Sequence, residues 1–150
     1  MTPFVTGGAG FLLAVLWFDL MFDVQGLGHR GSELPDDVLS SIATYYRRVT
    51  TAARPMNRLV AALMLGTIAT IVVQLVQGDA PRWAAALSLV LAASAIVTAA
   101  VHTVPSAVRL GTRSDTAEGQ TRLARAIFRD HLACVTAVAV VLFIQLAFAR

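Results

Sequence analysis

Four long apolar stretches, at about residues 4–24, 57–77, 83–104 and 127–148, alternate with short polar segments along this chain. Each is long enough to cross a hydrocarbon core of ~30 Å, which takes ~20 residues at helical rise. None alternates apolar and polar residues, and each is about twice the ~10 residues of a barrel strand. The pattern predicts an all-α fold, a four-transmembrane-helix bundle forming a single integral membrane domain over residues 1–150. No basic residue precedes the first stretch and no clean small-residue cleavage site ends it, so it is expected to be a retained span and not a signal peptide.

The connections refine this picture. Gly78-Asp79-Ala80-Pro81-Arg82 is a tight turn that makes the second and third spans antiparallel neighbours, with Pro81 suited to a first helical turn and Trp83 to an interfacial anchor. Between spans one and two, Pro35-Asp36-Asp37 is a helix start with acids at the positive end of the dipole. Val38, Ile42, Tyr45, Val49 and Ala52 then recur at helical spacing, opposite Asp37, Ser41, Thr44, Arg48 and Thr51. This predicts an amphipathic interfacial helix at about 35–53, ended by Pro55, lying on the membrane or capping the bundle. Residues 110–126 are polar and Arg-rich and lead into an extended fourth helix. Ser88 with Ala92, Ala95 with Ala99, and Ala62 with Gly66 are small pairs at four-residue spacing. They predict close packing within the bundle, and equally suit a homo- or hetero-oligomeric contact.

Composition agrees with a membrane domain: 57% hydrophobic and only 14% charged residues, against about a quarter charged in soluble domains. All twelve basic residues are Arg, which together with the Ala and Val content suggests a GC-rich bacterial genome. Ten of them fall in two patches, Arg30, Arg47, Arg48, Arg54 and Arg58, then Arg109, Arg113, Arg122, Arg125 and Arg129; Arg82 and Arg150 are the others. Arginines beside spans point to the lipid bilayer as partner and not to nucleic acid. By the positive-inside rule both Arg-rich loops are cytoplasmic and both termini outside, in a multi-pass protein of the cell's inner (plasma) membrane. The lone Cys134 forms no internal disulfide and is expected to be a small buried hydrophobe.

That topology assigns depth to the polar residues. Asp19 and Asp23 share a helix face near the inner end of span one. His102 lies near the inner end of span three, His131 one turn inside span four, and Asn57 and Arg58 open span two at the same level. Charged groups at this depth cost several kcal/mol unless paired or hydrated, which makes them functional candidates. Asp19, His102 and His131 are the candidate catalytic residues, and Asp19, Asp23, His102 and His131 the candidate ligands of a transition metal. The structural alternative is ion pairing of the acids with Arg58 or Arg129. Tyr45 and Tyr46 fit an aromatic belt, or a position over the same polar layer. Pro105 ends or kinks span three and frees a carbonyl near Val101. At the outer end Gln74 and Gln145 suit an inter-helix amide pair, and Thr67 and Thr70 suit bonds to their own helix carbonyls. The polar path across the membrane is thin, which argues against a channel or pump.

The sequence His102-Thr103-Val104-Pro105, the opening Phe128-Arg129-Asp130-His131, and the Tyr45-Tyr46-Arg47 helix leading to Pro55 resemble small four-helix bacterial membrane proteins related to anthrone oxygenases. The resemblance is loose and spans the chain. An Asn near the Pro of the third span and a Trp near the His of the fourth, part of that family's pattern, are replaced here by Thr or Ser and by Phe or Ile. What the resemblance implies is a site built from His102, His131 and polar neighbours near one membrane face, acting on a hydrophobic aromatic substrate. Three functions follow as expectations: an oxygenase- or oxidoreductase-like protein with a cytoplasm-side Asp/His site, an accessory or structural subunit of a larger membrane complex, and a small transporter component.

Overall fold

The structure is a computed structural model that describes residues 1–52 and 54–148, with Arg54 described through its backbone only. Arg150, and residue 53 at the end of the expected interfacial helix, lie outside the described residues. The described chain is helical: α1 (Thr2–Asp23), α2 (Asp36–Arg47), α3 (Arg54–Gln77), α4 (Arg82–Thr98), α5 (Val104–Thr112) and α6 (Ala117–Phe148). Four continuous helical stretches, Thr2–Gly26, Pro55–Gln77, Arg82–Thr112 and Ala117–Phe148, are long and apolar enough to cross a membrane. The chain is thus an all-α, multi-pass membrane protein. Each spanning helix packs against two others in the order α1, α3, α4, α6 and back to α1, which closes an up-down bundle.

Burial inside the bundle is modest, and Phe4, Phe18, Leu65, Val76, Val90 and Phe143 face outward. This is expected of helices whose outer faces meet lipid, because hydrocarbon supplies no drive to hide apolar side chains. The inner faces use small residues. Ala84, Ala85, Ser88, Ala92 and Ala95 of α4 are all buried; of the expected small pairs Ser88 and Ala92 are both inside, whereas Ala99, the partner of Ala95, is half-buried. Ala62 and Gly66 depart from that expectation: both are exposed, and α3 instead turns Thr67, Ile71 and Gln74 inward. Gln74 Nε2 donates to Gln145 Oε1 at 3.0 Å, and Gln145 Nε2 to Ser88 Oγ at 3.1 Å, which is the expected amide pair extended to a third helix. Thr67 and Thr70 bond back to the carbonyls of Leu63 and Gly66.

At the opposite end the boundaries differ from expectation. The third spanning helix does not stop near residue 104 but continues to Thr112. A π-helical turn over Ala99–Thr103 joins α4 to α5, and Pro105 sits in the first turn of α5. The fourth begins at Ala117, so only four residues separate α5 from α6. At 32 residues α6 is about 48 Å long, well beyond a ~30 Å core. Its first turns therefore stand clear of the core, and with α2 and α5 they form a cap.

The cap has its own core of Leu34, Leu39, Ile42, Ala43, Tyr46, Ala107, Leu110, Ala124 and Ile127. The α2 stripe that faces it is Leu39, Ile42, Ala43 and Tyr46, with Val38, Tyr45 and Val49 at its edge and Ala52 exposed. The expected stripe was rotated by about one residue, because α2 meets protein on two sides and not a flat lipid surface. Acids in its first turn (Asp36, Asp37) and Arg47 in its last complement the helix dipole. The two Arg-rich connections are tied across the cap. Arg113 pairs with Asp36, and Leu34 N–H donates to Thr121 Oγ1 at 3.0 Å.

Gly111 sets how closely α5 approaches α2. A Cβ built there would lie 3.0 Å from the backbone N of Arg47 and 3.1 Å from its Cα. Backbone cannot rotate away as a side chain can. Gly111→Ala is expected to lower stability by ~1–3 kcal/mol through overpacking, seen as a lowered melting temperature in detergent. Gly66→Ala, with nothing within 4 Å of the added atom, is expected to be neutral or to stabilise by ~0.5–1 kcal/mol. Equal effects at the two sites would show that the α2–α5 contact is not tight.

Candidate functional site

Asp19 and Asp23 occupy one face of the last turns of α1, four residues apart. α2 lies across that face and α6 rises beside it. Three elements thus deliver five polar side chains to one point. Tyr45 O–H donates to Asp19 Oδ1 at 2.6 Å, and Tyr46 O–H donates to Asp23 Oδ1 at 2.6 Å. His131 Nδ1 lies 2.6 Å from Asp23 Oδ2, and its Nε2 lies 3.8 Å from Asp19 Oδ2. Tyr46 O–H is also 3.4 Å from His131 Nδ1. Phe22 stacks on Tyr45 with ring centroids 3.9 Å apart, which fixes the phenol over the acid.

Burial makes these contacts strong. The Asp23 side chain has no solvent exposure, His131 is 7% exposed and Asp19 16%. An ionised carboxylate only accepts hydrogen bonds, so Asp23 assigns the proton of the neutral imidazole to Nδ1 and leaves the Nε2 lone pair facing Asp19. Asp23 then receives two donors on its two oxygens. Bonds of this charge-assisted kind contribute ~1.5–3 kcal/mol each. The Nε2–Asp19 separation is within ion-pairing range but too long for a hydrogen bond. It is the one contact in the cluster that is not closed.

Of the residues expected from sequence, Asp19, Asp23 and His131 come together, and His102 does not join them. His102 Nδ1 meets Asp130 Oδ2 at 2.5 Å, and Thr103 Oγ1 donates to the same oxygen at 3.0 Å. The His102 side chain is 56% exposed. The four expected metal ligands therefore do not share a centre, and among the described residues no group of three or more His, Cys, Asp or Glu is arranged to hold a metal ion. Among the described residues neither Arg58 nor Arg129 pairs with an acid; both are exposed. The acids are satisfied by tyrosine hydroxyls and an imidazole instead. Pro105 does not end the third spanning helix, which continues through the π turn to Thr112, although the proline supplies no N–H to the turn before it. Cys134 is buried, its Sγ 3.7 Å from the Ala95 carbonyl oxygen, as a small core side chain.

Tyr45 and Tyr46 do not form an aromatic belt, and Asp130 carried no special signal in the sequence. The available clue for the tyrosines was their adjacency on a helix that must cover the end of span one: amphipathic phenols next to apolar positions seek a buried acceptor. Burial, and then the Asp19 carboxylate as acceptor and charge, hold the Tyr45 phenol well above its ordinary range. Burial and Asp23 do the same to Tyr46.

These are the only two tyrosines in the chain, so their ionisation can be followed directly. In the folded protein in detergent, absorbance near 295 nm is expected to show no tyrosinate at pH 10–11, whereas the denatured chain titrates near pH 10. The folded values are raised. Their stabilising contribution is therefore fully present below about pH 10 and is lost as pH climbs toward the folded values, so alkaline unfolding and tyrosinate appearance should coincide. A tyrosine that ionises near pH 10 while the helices remain folded would contradict the buried phenol–carboxylate pairs. Comparison of the chain with protein-family models, curated proteins and solved structures finds no match.

Proposed function

We propose that this protein is a membrane-embedded acid–base catalyst, oxygenase- or oxidoreductase-like in kind, that acts on a hydrophobic aromatic substrate. The observation that carries the proposal is the Asp23–His131 pair, with Nδ1 held at 2.6 Å and Nε2 turned to the partly exposed Asp19. A carboxylate on one imidazole nitrogen fixes tautomer and orientation and raises the basicity of the other. His131 Nε2 is then the atom that removes a proton from a weakly acidic substrate group, and Asp19 its proton-exchange neighbour. Asp23, Tyr45 and Tyr46 are positioning residues. The electron pair left behind is delocalised over an aromatic ring, which suits the substrate class implied by the resemblance to anthrone-oxygenase-related proteins.

The interior above the cluster favours this over transport. Ala9, Leu12, Ala95, Cys134 and Val138 fill the space between the His131 cluster and the Gln74–Gln145 pair with a small apolar core. An ion or solute would have to cross that core, whereas a lipid-soluble substrate reaches the cluster from the bilayer side of α1, where Trp17, Phe18 and Met21 are exposed.

The test uses protein in nanodiscs and anthrone as a hydrophobic carbon acid. Exchange of its acidic C–H proton for deuterium should exceed that in empty nanodiscs. His131→Ala, with helical content retained, should lose ~10²–10⁴-fold of that enhancement, and Asp23→Asn should lose part of it. Exchange equal to that of empty nanodiscs, or unchanged in His131→Ala, would remove the proposal.

We also infer that the Arg-rich end faces the cytoplasm of the cell and both termini face out, on the strength of the arginine distribution. In a Cys134→Ser background, Asp79→Cys should react with a membrane-impermeant maleimide in intact cells and Ser114→Cys only after permeabilisation. The reverse labelling would invert the orientation.

A further inference from the structure

The cap carries a second feature that shares Asp23 with the acid–base cluster and otherwise uses different side chains. An open groove of about 770 Å³ runs between the segment after α1, α5 and the first half of α6. Arg30, Arg109, Arg122, Arg125 and Arg129 line it, five of the twelve arginines of the chain. Arg122, Arg125 and Arg129 are spaced three and four residues apart, so one face of α6 presents all three. The one carboxylate in the lining, Asp23, is fully buried and already engaged by Tyr46 and His131, so it does not offset them.

The five guanidiniums are not equally compensated. Arg109 is held by Asp115 and Arg122 by Glu118. Arg125 donates only to the backbone carbonyls of His29 and Gly31, at 3.1 and 2.7 Å, which order its side chain without cancelling its charge. Arg30 and Arg129 are exposed and have no acidic partner among the described residues. Three uncompensated guanidiniums therefore converge on one concave surface. Leu27, Leu123 and Phe128 give that surface an apolar wall. Beside it the exposed Val104 and Val108 of α5 and Leu132 of α6 continue toward the membrane-crossing parts of the helices.

We propose that this groove binds the phosphodiester headgroup of an anionic membrane lipid. Guanidinium presents a planar fork that matches phosphate oxygens in pairs, and Arg125 is ordered before any ligand arrives. The groove opens where the helices leave the bilayer, the level at which lipid phosphates are concentrated, and the apolar flank supplies a surface for the first methylenes of the acyl chains. The proposal rests on charge and shape and is independent of any proton transfer at His131.

The test is native mass spectrometry of the full chain in detergent, titrated with phosphatidylglycerol and with phosphatidylcholine of the same acyl chains. Phosphatidylglycerol is expected to bind at least tenfold tighter. Combining Arg30→Gln with Arg129→Gln should weaken phosphatidylglycerol at least tenfold and leave phosphatidylcholine unchanged. Both side chains are exposed, so the fold should survive, as helical circular dichroism would verify, and Arg129→Gln alone should give an intermediate loss. Arg82→Gln, at the other end of the bundle, should bind like the parent chain. Equal affinity for the two lipids, or full phosphatidylglycerol binding in the double variant, overturns the proposal. Inorganic phosphate is the third arm: failure to displace phosphatidylglycerol at equal concentration supports a lipid ligand, and displacement at that concentration overturns it.

Discussion

A carboxylate with no access to water, placed near the end of a membrane-crossing helix, is the constraint around which the cap is arranged. Asp23 cannot remain there as an unpartnered anion, since the cost of an uncompensated buried charge is of order 3–5 kcal/mol. Its partners come from two other elements, His131 from α6 and Tyr46 from α2. Satisfying one side chain therefore fixes the rotation of α6 against α1 and holds α2 down over both. The rest of the cap core follows from that placement. Leu39, Ile42 and Ala43 share the face of Tyr46, and Ile127 shares the face of His131, so the same rotation that closes the hydrogen bonds also buries the apolar residues beside them.

The division of labour between arginine and tyrosine follows from solvation. An arginine brought against Asp19 or Asp23 would have to lose its own hydration before its attraction to the acid could compensate. A tyrosine hydroxyl donates to the same oxygens with no formal charge to desolvate, and its ring adds apolar contact area. The acids are therefore satisfied inside by neutral donors and an imidazole, while the arginines stay at the rim. The consequence is electrostatic: the inner layer of the cap is rich in acids, and the outer surface of the same cap is basic.

Much of the fold was legible because lipid imposes few and severe rules. Length and apolarity alone marked the four spans, and Gln74 and Gln145, lone amides at matching depth, marked their own pairing. Asp19, Asp23 and His131 were legible for the same reason, as ionisable residues in apolar runs. What failed depended on local rotation. The stripe of α2 was displaced because periodicity finds a face but not what lies against it. His102 and His131 were placed at one depth correctly, yet depth says nothing about angle around the bundle, and His102 turns outward to Asp130. The tyrosines were hidden by the ordinary preference of aromatic residues for interfaces. The early start of α6 was hidden because its first turns are polar and Arg-rich, as a loop would be, until α2 and α5 are laid against them.

The π-helical turn at Ala99–Thr103 has a consequence for how this chain tolerates change in length. A π turn holds one residue more than an α turn, so it works as an insertion kept inside a helix. Each residue advances an α-helix by about 100°, and everything after the turn is rotated by that amount relative to a straight continuation of α4. Ala107, Leu110 and Gly111 face α2 only because of this offset. Another π-helical turn, Arg48–Ala52, lies between α2 and α3; along the one helix that runs from α4 into α5, the bilayer part and the cap thus follow two different angular phases. Loss of one residue here would leave both helices intact and the chain nearly as long, yet would turn the inner face of α5 away from the cap. The turn is therefore a point in the sequence at which residue number, independent of residue identity, determines whether α5 fits against the cap.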